Sequence, residues 1–258
     1  MIKIGPSGVG GKNEAKSNLE YLNKNKLNAA ELAFTYSVYL KKEDAIEIGK
    51  IAKELNIDLS IHASYFINLN SPEEKKVAMS KKRILDACEI GHYLGAKYIV
   101  FHAGYVGKST REETYDNIKK EMLELQKYIE EKKWNVKLAA ETTGKVSVFG
   151  SLDETLKLAK ETGTSFCIDF AHLKARNNGD IDFKEVIEKL KGHEHIHCHY
   201  SGIAYSEKGE KHHLPVEIDE FKTIISELKK QKINCTIICE SPDTYDDAIK
   251  MQNENNKS

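Results

Sequence analysis

The sequence predicts an α/β protein built as a single (β/α)8 barrel. Eight short, apolar, β-rich runs alternate with amphipathic helical stretches, and no Pro/Gly/Ser-rich linker or shift in composition divides the 258 residues. Strict alternation implies a parallel sheet, because each crossover is a helix. Eight rounds within about 240 residues suit a closed barrel better than an open doubly wound sheet.

The predicted strands are 2–5, 29–34, 57–63, 98–103, 136–142, 165–170, 195–201 and 235–241. Helix starts between them are marked by capping boxes at Ser71-Pro72-Glu73-Glu74, Thr110-Arg111-Glu112-Glu113 and Ser151-Leu152-Asp153-Glu154. Tyr115, Ile118, Met122, Leu125 and Ile129 recur at spacings of three and four, which predicts one apolar stripe facing a sheet. Residues 1–250 form the expected barrel domain; the polar tail 251–258 lacks an apolar stripe and is expected to be disordered.

Composition is that of a soluble protein, 40% hydrophobic and 31% charged. No apolar run approaches the ~20 residues of a membrane helix, and the N-terminus is no signal peptide, so a cytoplasmic, membrane-free protein is expected. The five cysteines are odd in number and read as small core residues in a reducing compartment. A net charge of −1 excludes a generally basic nucleic-acid binder while allowing a local basic face. The loop Gly5-Pro6-Ser7-Gly8-Val9-Gly10-Gly11-Lys12-Asn13 imitates a phosphate-binding loop. Proline stands at the first glycine position and Asn13 at the hydroxyl position, so no nucleotide cofactor is expected.

Barrel chemistry gathers at the carboxyl ends of strands. There the sequence places His62, His102, Glu141, Asp169 with His172, His197, and Glu240, and a polar loop after the seventh strand adds Glu210, His212 and His213. Each has an ordinary reading as a solvated or hydrogen-bonded group, but closure would bring them together. Unpaired carboxylates after apolar runs such as Leu138-Ala139-Ala140 would be costly without a cation. Counting one of His212/His213, nine ligands exceed the needs of one ion and fit two or three. A mixed imidazole and carboxylate shell favours zinc, or manganese (Mn2+) and iron (Fe2+), over magnesium. Three zinc ions would make the pocket locally cationic and suited to phosphate.

At His62-Ala63-Ser64-Tyr65-Phe66-Ile67-Asn68-Leu69, Phe101-His102-Ala103-Gly104, Glu141-Thr142-Thr143-Gly144, Cys167-Ile168-Asp169-Phe170-Ala171-His172 and Ile238-Cys239-Glu240-Ser241, the sequence resembles endonuclease IV. That is the zinc-dependent apurinic/apyrimidinic endonuclease family of the xylose-isomerase-like barrels. Segments 199–203 and 209–214 resemble its archaeal branch. The resemblance implies that His62, His102 and Glu141 hold a first zinc. Glu141 would bridge to a second zinc on Asp169, His197 and Glu240, and His172, Glu210 and His212 or His213 would hold a third. It implies a monomer that hydrolyses double-stranded DNA 5′ to an abasic site, leaving a 3′-hydroxyl and a 5′-deoxyribose phosphate. Glu141, Glu240 and Asp169 are the expected catalytic carboxylates. Where the family carries an arginine-containing loop after strand two, this chain has Tyr36-Ser37-Val38-Tyr39-Leu40-Lys41-Lys42.

A base-less nucleotide must leave the stack before its phosphate can be reached. Tyr65 and Phe66 are placed to wedge into that gap, the alternative being a buried aromatic pair under the loop. Lys41, Lys42, Lys108, Lys174, Arg176 and Lys208 fall in predicted top-face loops and could hold backbone phosphates. The competing reading is a sugar isomerase or epimerase with one or two divalent ions. Such sites rely on carboxylates with few histidines, so five candidate imidazoles favour the trinuclear reading. A non-catalytic, metal-stabilised binding module is disfavoured, since so many polar groups at strand ends cost stability without function.

Overall fold

A computed structural model describes residues 1–257. The barrel strands are β1 (Ile2–Pro6), β2 (Ala29–Ala33), β3 (Asp58–His62), β4 (Tyr98–Phe101), β5 (Lys137–Glu141), β6 (Ser165–Asp169), β7 (Ile196–Tyr200) and, after a hairpin of β8 (Gly202–Ser206) and β9 (Gly209–Leu214), β10 (Cys235–Cys239). The helices are α1 (Ala15–Lys24), α2 (Lys42–Glu54), α3 (Glu74–Leu94), α4 (Arg111–Lys132), α5 (Leu152–Thr162), α6 (Phe170–Arg176), α7 (Phe183–Glu188), α8 (Ile218–Lys230) and α9 (Thr244–Lys257). All eight predicted strands form, each within a residue or two of its expected ends.

The eight strands pair in parallel in the order β1-β10-β7-β6-β5-β4-β3-β2. A parallel bridge between Ser7 and Glu31 joins the two outer strands, helped by Gly8 N–H donating to Glu31 O at 2.6 Å and Asn28 N–H to Ile4 O at 3.1 Å. Gly5 makes this closure sterically feasible, because a Cβ there would sit 1.7 Å from Ala29 O. The imitation phosphate loop is thus part of the barrel seam, and α1 begins only at Ala15. No described helix is long and apolar enough to cross a membrane.

The α4 stripe is buried as its spacing predicts, each such side chain contributing roughly 1.5–3 kcal/mol. The Thr110 and Ser151 boxes both close. The Ser71 box does not: α3 starts at Glu74 with Glu73 as its cap. Ser71 Oγ instead accepts the Glu73 N–H at 3.2 Å, forming a local turn one step early. All five cysteines are buried and unbridged.

Two expectations are corrected. The segment carrying Glu210, His212 and His213 is the second arm of an antiparallel hairpin, not an irregular loop. The tail is helical through Lys257: α9 buries Ala248 and Met251 against the barrel, and Lys229 Nζ donates to Asn255 O near its end. Ser258, the last residue of the expected disordered tail, lies outside the described residues.

Candidate metal centre

The carboxyl ends of the strands gather the site around Glu141, at the end of β5 and fully buried. Its Oε2 lies 3.1 Å from His62 Nε2 and 2.8 Å from His102 Nε2. Its Oε1 lies 2.8 Å from His199 Nδ1 and 3.7 Å from His172 Nδ1. Asp169 ends β6 and caps α6, its Oδ1 accepting the His172 N–H at 2.7 Å. This cap places His172 over the pocket. Asp169 Oδ2 is buried without a hydrogen-bond partner. Glu240, just past β10, completes a set in which donor atoms of Glu141, Asp169, His199 and Glu240 lie within 4.8 Å of one another. His62, His102 and Glu141 form a second such set.

The imidazoles continue in a row. Ring centroids are 5.7 Å apart for His62 and His102, 5.6 Å for His102 and His172, and 5.4 Å for His172 and His213. Glu210 reaches this end of the row, with Oε2 3.6 Å from His172 Nε2. The β8–β9 hairpin is docked on the loop after β5: Glu210 N–H donates to Gly144 O and Gly144 N–H to Glu210 Oε2, both at 3.1 Å. Gly209 permits the approach with φ +95° and only 2.2 Å between an ideal Cβ and Gly144 O. A bulge in the hairpin leaves Lys211 unpaired, which brings Glu210 and His213 to the same side and separates the two histidines left open by the sequence. His213 faces inward, with Nδ1 2.7 Å from Ser201 Oγ, while His212 is exposed on the outer face.

The seventh strand departs from expectation. His199, not His197, joins the carboxylate cluster. Register is the reason: His199 pairs with Asp169 and Ile238 at the top of the barrel, whereas His197 pairs with Cys167 and Thr236 one layer deeper. His197 Nε2 lies 3.0 Å from Glu31 Oε2, and its ring stacks on Tyr98 at 5.0 Å. Cys167 also has donor atoms within reach of His197 and His199. Glu31 was missed as well. The available signal was a single carboxylate inside the apolar strand Ala29-Ala30-Glu31-Leu32-Ala33.

Burial alone would lift the Glu141 carboxyl, but His199 and His102 hold it well below the usual carboxylate range. Burial opposes charge on His62 as well, yet its contacts with Glu141 push it up to about 9. Against the same opposition, Asp169 and Glu141 push His172 up to about 9. Glu240 is lowered to about 2, with His199 overcoming its burial. Asp169 moves the other way, its burial raising it. Imidazolium protons thus balance the carboxylates in this arrangement, and a divalent cation would displace them. Asp169 Oδ2, which has no hydrogen-bond partner and lies 3.3 Å from His172 Nδ1, and the two clusters fit metal binding.

The aromatic wedge candidates are both more than half exposed in the loop after β3. Tyr65 lies 5.6 Å from the His62 ring and 6.5 Å from the His102 ring, while Phe66 packs against Tyr36 at 6.2 Å. The buried-pair alternative is therefore not what forms. Lys41, Lys42, Lys108 and Lys208 are exposed, Lys42 resting over Tyr93. Two other phosphate candidates are already engaged. Lys174 pairs with Glu220 and Glu217 at 2.7 and 3.2 Å. Arg176 donates to Thr143 O, Lys145 O and Val148 O, bracing the loop after β5.

Fold and site together define a TIM barrel with side chains able to hold a metal clustered at its carboxyl end. The sequence profile of the xylose isomerase-like TIM barrel family matches residues 19–256, and the chain belongs to that family. It is 38% identical to an uncharacterized protein of Methanocaldococcus jannaschii over 97% of this chain and 96% of the other. It is 26% identical to an endonuclease 4 homolog of Dictyostelium discoideum over 82% of this chain but only 42% of that protein. Among solved structures, Thermus thermophilus endonuclease IV aligns with TM-score 0.72 and 20% identity over 100% of this chain and 99% of the other. A D-tagatose 3-epimerase-like protein aligns with TM-score 0.74 and 20% identity over 99% and 96%.

Proposed function

We propose that this chain is a zinc-dependent apurinic/apyrimidinic endodeoxyribonuclease of the endonuclease IV kind, acting on double-stranded DNA in repair. The observation that carries the reading is the row of imidazoles beyond the four-donor set. Glu141, Asp169, His199 and Glu240 would suffice for one ion. His62, His102, His172 and His213, each next to the last, add donors for further ions, which could hold the attacked phosphate and its leaving oxygen together. Epimerase barrels share the fold at similar scores, so the fold does not decide. The sequence match to the Dictyostelium discoideum endonuclease 4 homolog supports the choice.

His62, His102 and Glu141 would hold one ion, Glu141, Asp169, His199 and Glu240 a second, and His172, Glu210 and His213 a third. Bound zinc would supply Lewis acidity and a water acidified toward neutrality. The chain's own residues do the rest. Glu141 fixes the spacing of the two clusters by facing imidazoles through both oxygens. Asp169, through its cap on α6, sets the position of His172. Tyr65, exposed beside His62 and His102, fills the space left by the missing base, and exposed Lys41, Lys42, Lys108 and Lys208 attract the backbone. In the proposed reaction, water adds at phosphorus and the P–O3′ bond breaks, leaving a 3′-hydroxyl and a 5′-deoxyribose phosphate.

The test is incision of a duplex carrying one abasic site, assayed beside 3-epimerisation of a ketohexose by the same zinc- or manganese-loaded preparation. Incision 5′ to the lesion supports the reading. A 3′-unsaturated aldehyde end would indicate lyase chemistry, and epimerisation without incision would replace the nuclease by a sugar epimerase.

A further inference from the structure

We propose that Glu31 is a positioning residue for the metal centre: its carboxylate fixes the His199 ring so that Nδ1 faces the carboxylate cluster. This rests on the metal-binding part of the reading above. An imidazole that ligates through one nitrogen carries its proton on the other, and the acceptor for that proton sets tautomer and orientation. His199 Nδ1 lies 2.8 Å from Glu141 and 3.5 Å from Glu240, on the side of the clustered carboxylates. Its Nε2 is buried 3.1 Å from Glu31 Oε1, a close polar contact rather than an aligned hydrogen bond, and neither atom has any other hydrogen-bond partner. Cys167 also lies within reach of a His199 ring nitrogen, but a buried thiol is a weak acceptor beside a carboxylate.

Glu31 is itself held. Ser60 Oγ donates to its Oε2 at 2.8 Å, and His197 Nε2 meets the same oxygen at 3.0 Å. Its backbone lies in the barrel seam, where Gly8 and Ser7 pair with it. The side chain therefore cannot swing away from His199. A fully buried carboxylate is an expensive way to fill a barrel interior, and an apolar residue of similar size would be cheaper. What the carboxylate adds is a fixed acceptor and a negative charge one imidazole away from the metal position. This also explains why His199 ligates while His197 does not: His197 spends its Nε2 supporting Glu31.

The experiment measures zinc affinity of the full-length, metal-stripped protein by competition with a chromogenic chelator, for wild type, Glu31→Gln, Glu31→Ala and Ser60→Ala. Glu31→Ala is expected to weaken one zinc by roughly 10–100-fold and leave the others unchanged. Glu31→Gln, which keeps an oxygen acceptor, is expected to recover much of that loss, and Ser60→Ala to show a smaller one. Long-range 1H–15N NMR of the zinc-loaded wild type should show His199 protonated on Nε2. Wild-type affinity at every site in Glu31→Ala, or equal weakening at all of them, overturns the proposal. If Glu31→Ala does not fold, a His199 protonated on Nδ1 in loaded wild type does so. Zinc binding by wild type without incision of abasic DNA removes the nuclease reading and leaves this inference intact. A wild type that binds no divalent ion removes both.

Discussion

The His172 and His213 rings lie 5.4 Å apart across the gap between α6 and β9, with Glu210 against the same edge. His212, the neighbour of His213, turns to solvent because the bulge at Lys211 gives His213 the face of Glu210 and leaves His212 on the other. His213→Ala is therefore expected to bind one zinc fewer than wild type, and His172→Ala likewise. His212→Ala should keep the full complement. Elemental analysis after desalting from zinc-containing buffer decides this, and the reverse pattern for the two neighbours would reverse the assignment. Chelation should abolish incision in every active form and added zinc should restore it.

Glu141 faces His62 and His102 through one oxygen and His199 through the other. Glu141→Gln preserves shape but removes the charge shared by both clusters. Single-turnover incision should fall at least ~10³-fold, about 4 kcal/mol in the barrier. Affinity for an abasic duplex should change little, because the aromatic and lysine contacts are elsewhere. A variant that still cuts within tenfold of wild type would remove Glu141 from the chemistry.

Most of this site was legible before folding, because a barrel sends strand ends to one place and chemistry-bearing residues stood at those ends. Parity was legible too: His197 and His199 differ by two and share the inward face. Which of them reaches the top layer depends on register against β6 and β10, and a stretch of inward histidines carries no mark of depth. Glu31 was hidden for a related reason. It sits mid-strand, below the ends where ligands are sought, and reaches the site only through His199. The hairpin 202–214 lacks the apolar alternation that marks strands, since it packs on α6 and the loop after β5 rather than on a core. The helical tail was hidden by its polarity, because so few of its side chains make the contact that orders it.

At the opposite end of the barrel, Asp58 pairs with Lys3 at 2.8 Å and Lys97 at 2.5 Å. Its partial burial would raise the carboxyl, but the two ammonium groups hold it below the ordinary value. A lowered folded-state pKa gives stability that is fully present above the unfolded value near ~3.9 and lost as pH falls through the folded value. Asp58→Asn should thus melt lower than wild type at neutral pH, by about 2–4 °C for a loss of about 1 kcal/mol. The difference should shrink below pH 4. Parallel melting curves from pH 7 to pH 3 check this, and a gap that widens on acidification would contradict the sign.

Tyr65 and Phe66 are 56% and 57% exposed, so truncating them removes little core packing and the melting temperature should hold. Base–aromatic stacking is worth roughly 1–3 kcal/mol per contact. If the pair occupies the gap at the lesion, Tyr65→Ala with Phe66→Ala should weaken binding to an abasic duplex by about 10-fold or more while affinity for an intact duplex is unchanged. Replacing Lys41, Lys42, Lys108 and Lys208 by alanine should act differently, because phosphate contacts do not sense the lesion. It should weaken both duplexes alike and flatten the dependence of log K on log salt. Fluorescence anisotropy at several salt concentrations separates the two effects. Equal loss on intact and abasic DNA in the aromatic double variant would assign Tyr65 and Phe66 to general backbone contact rather than to the lesion.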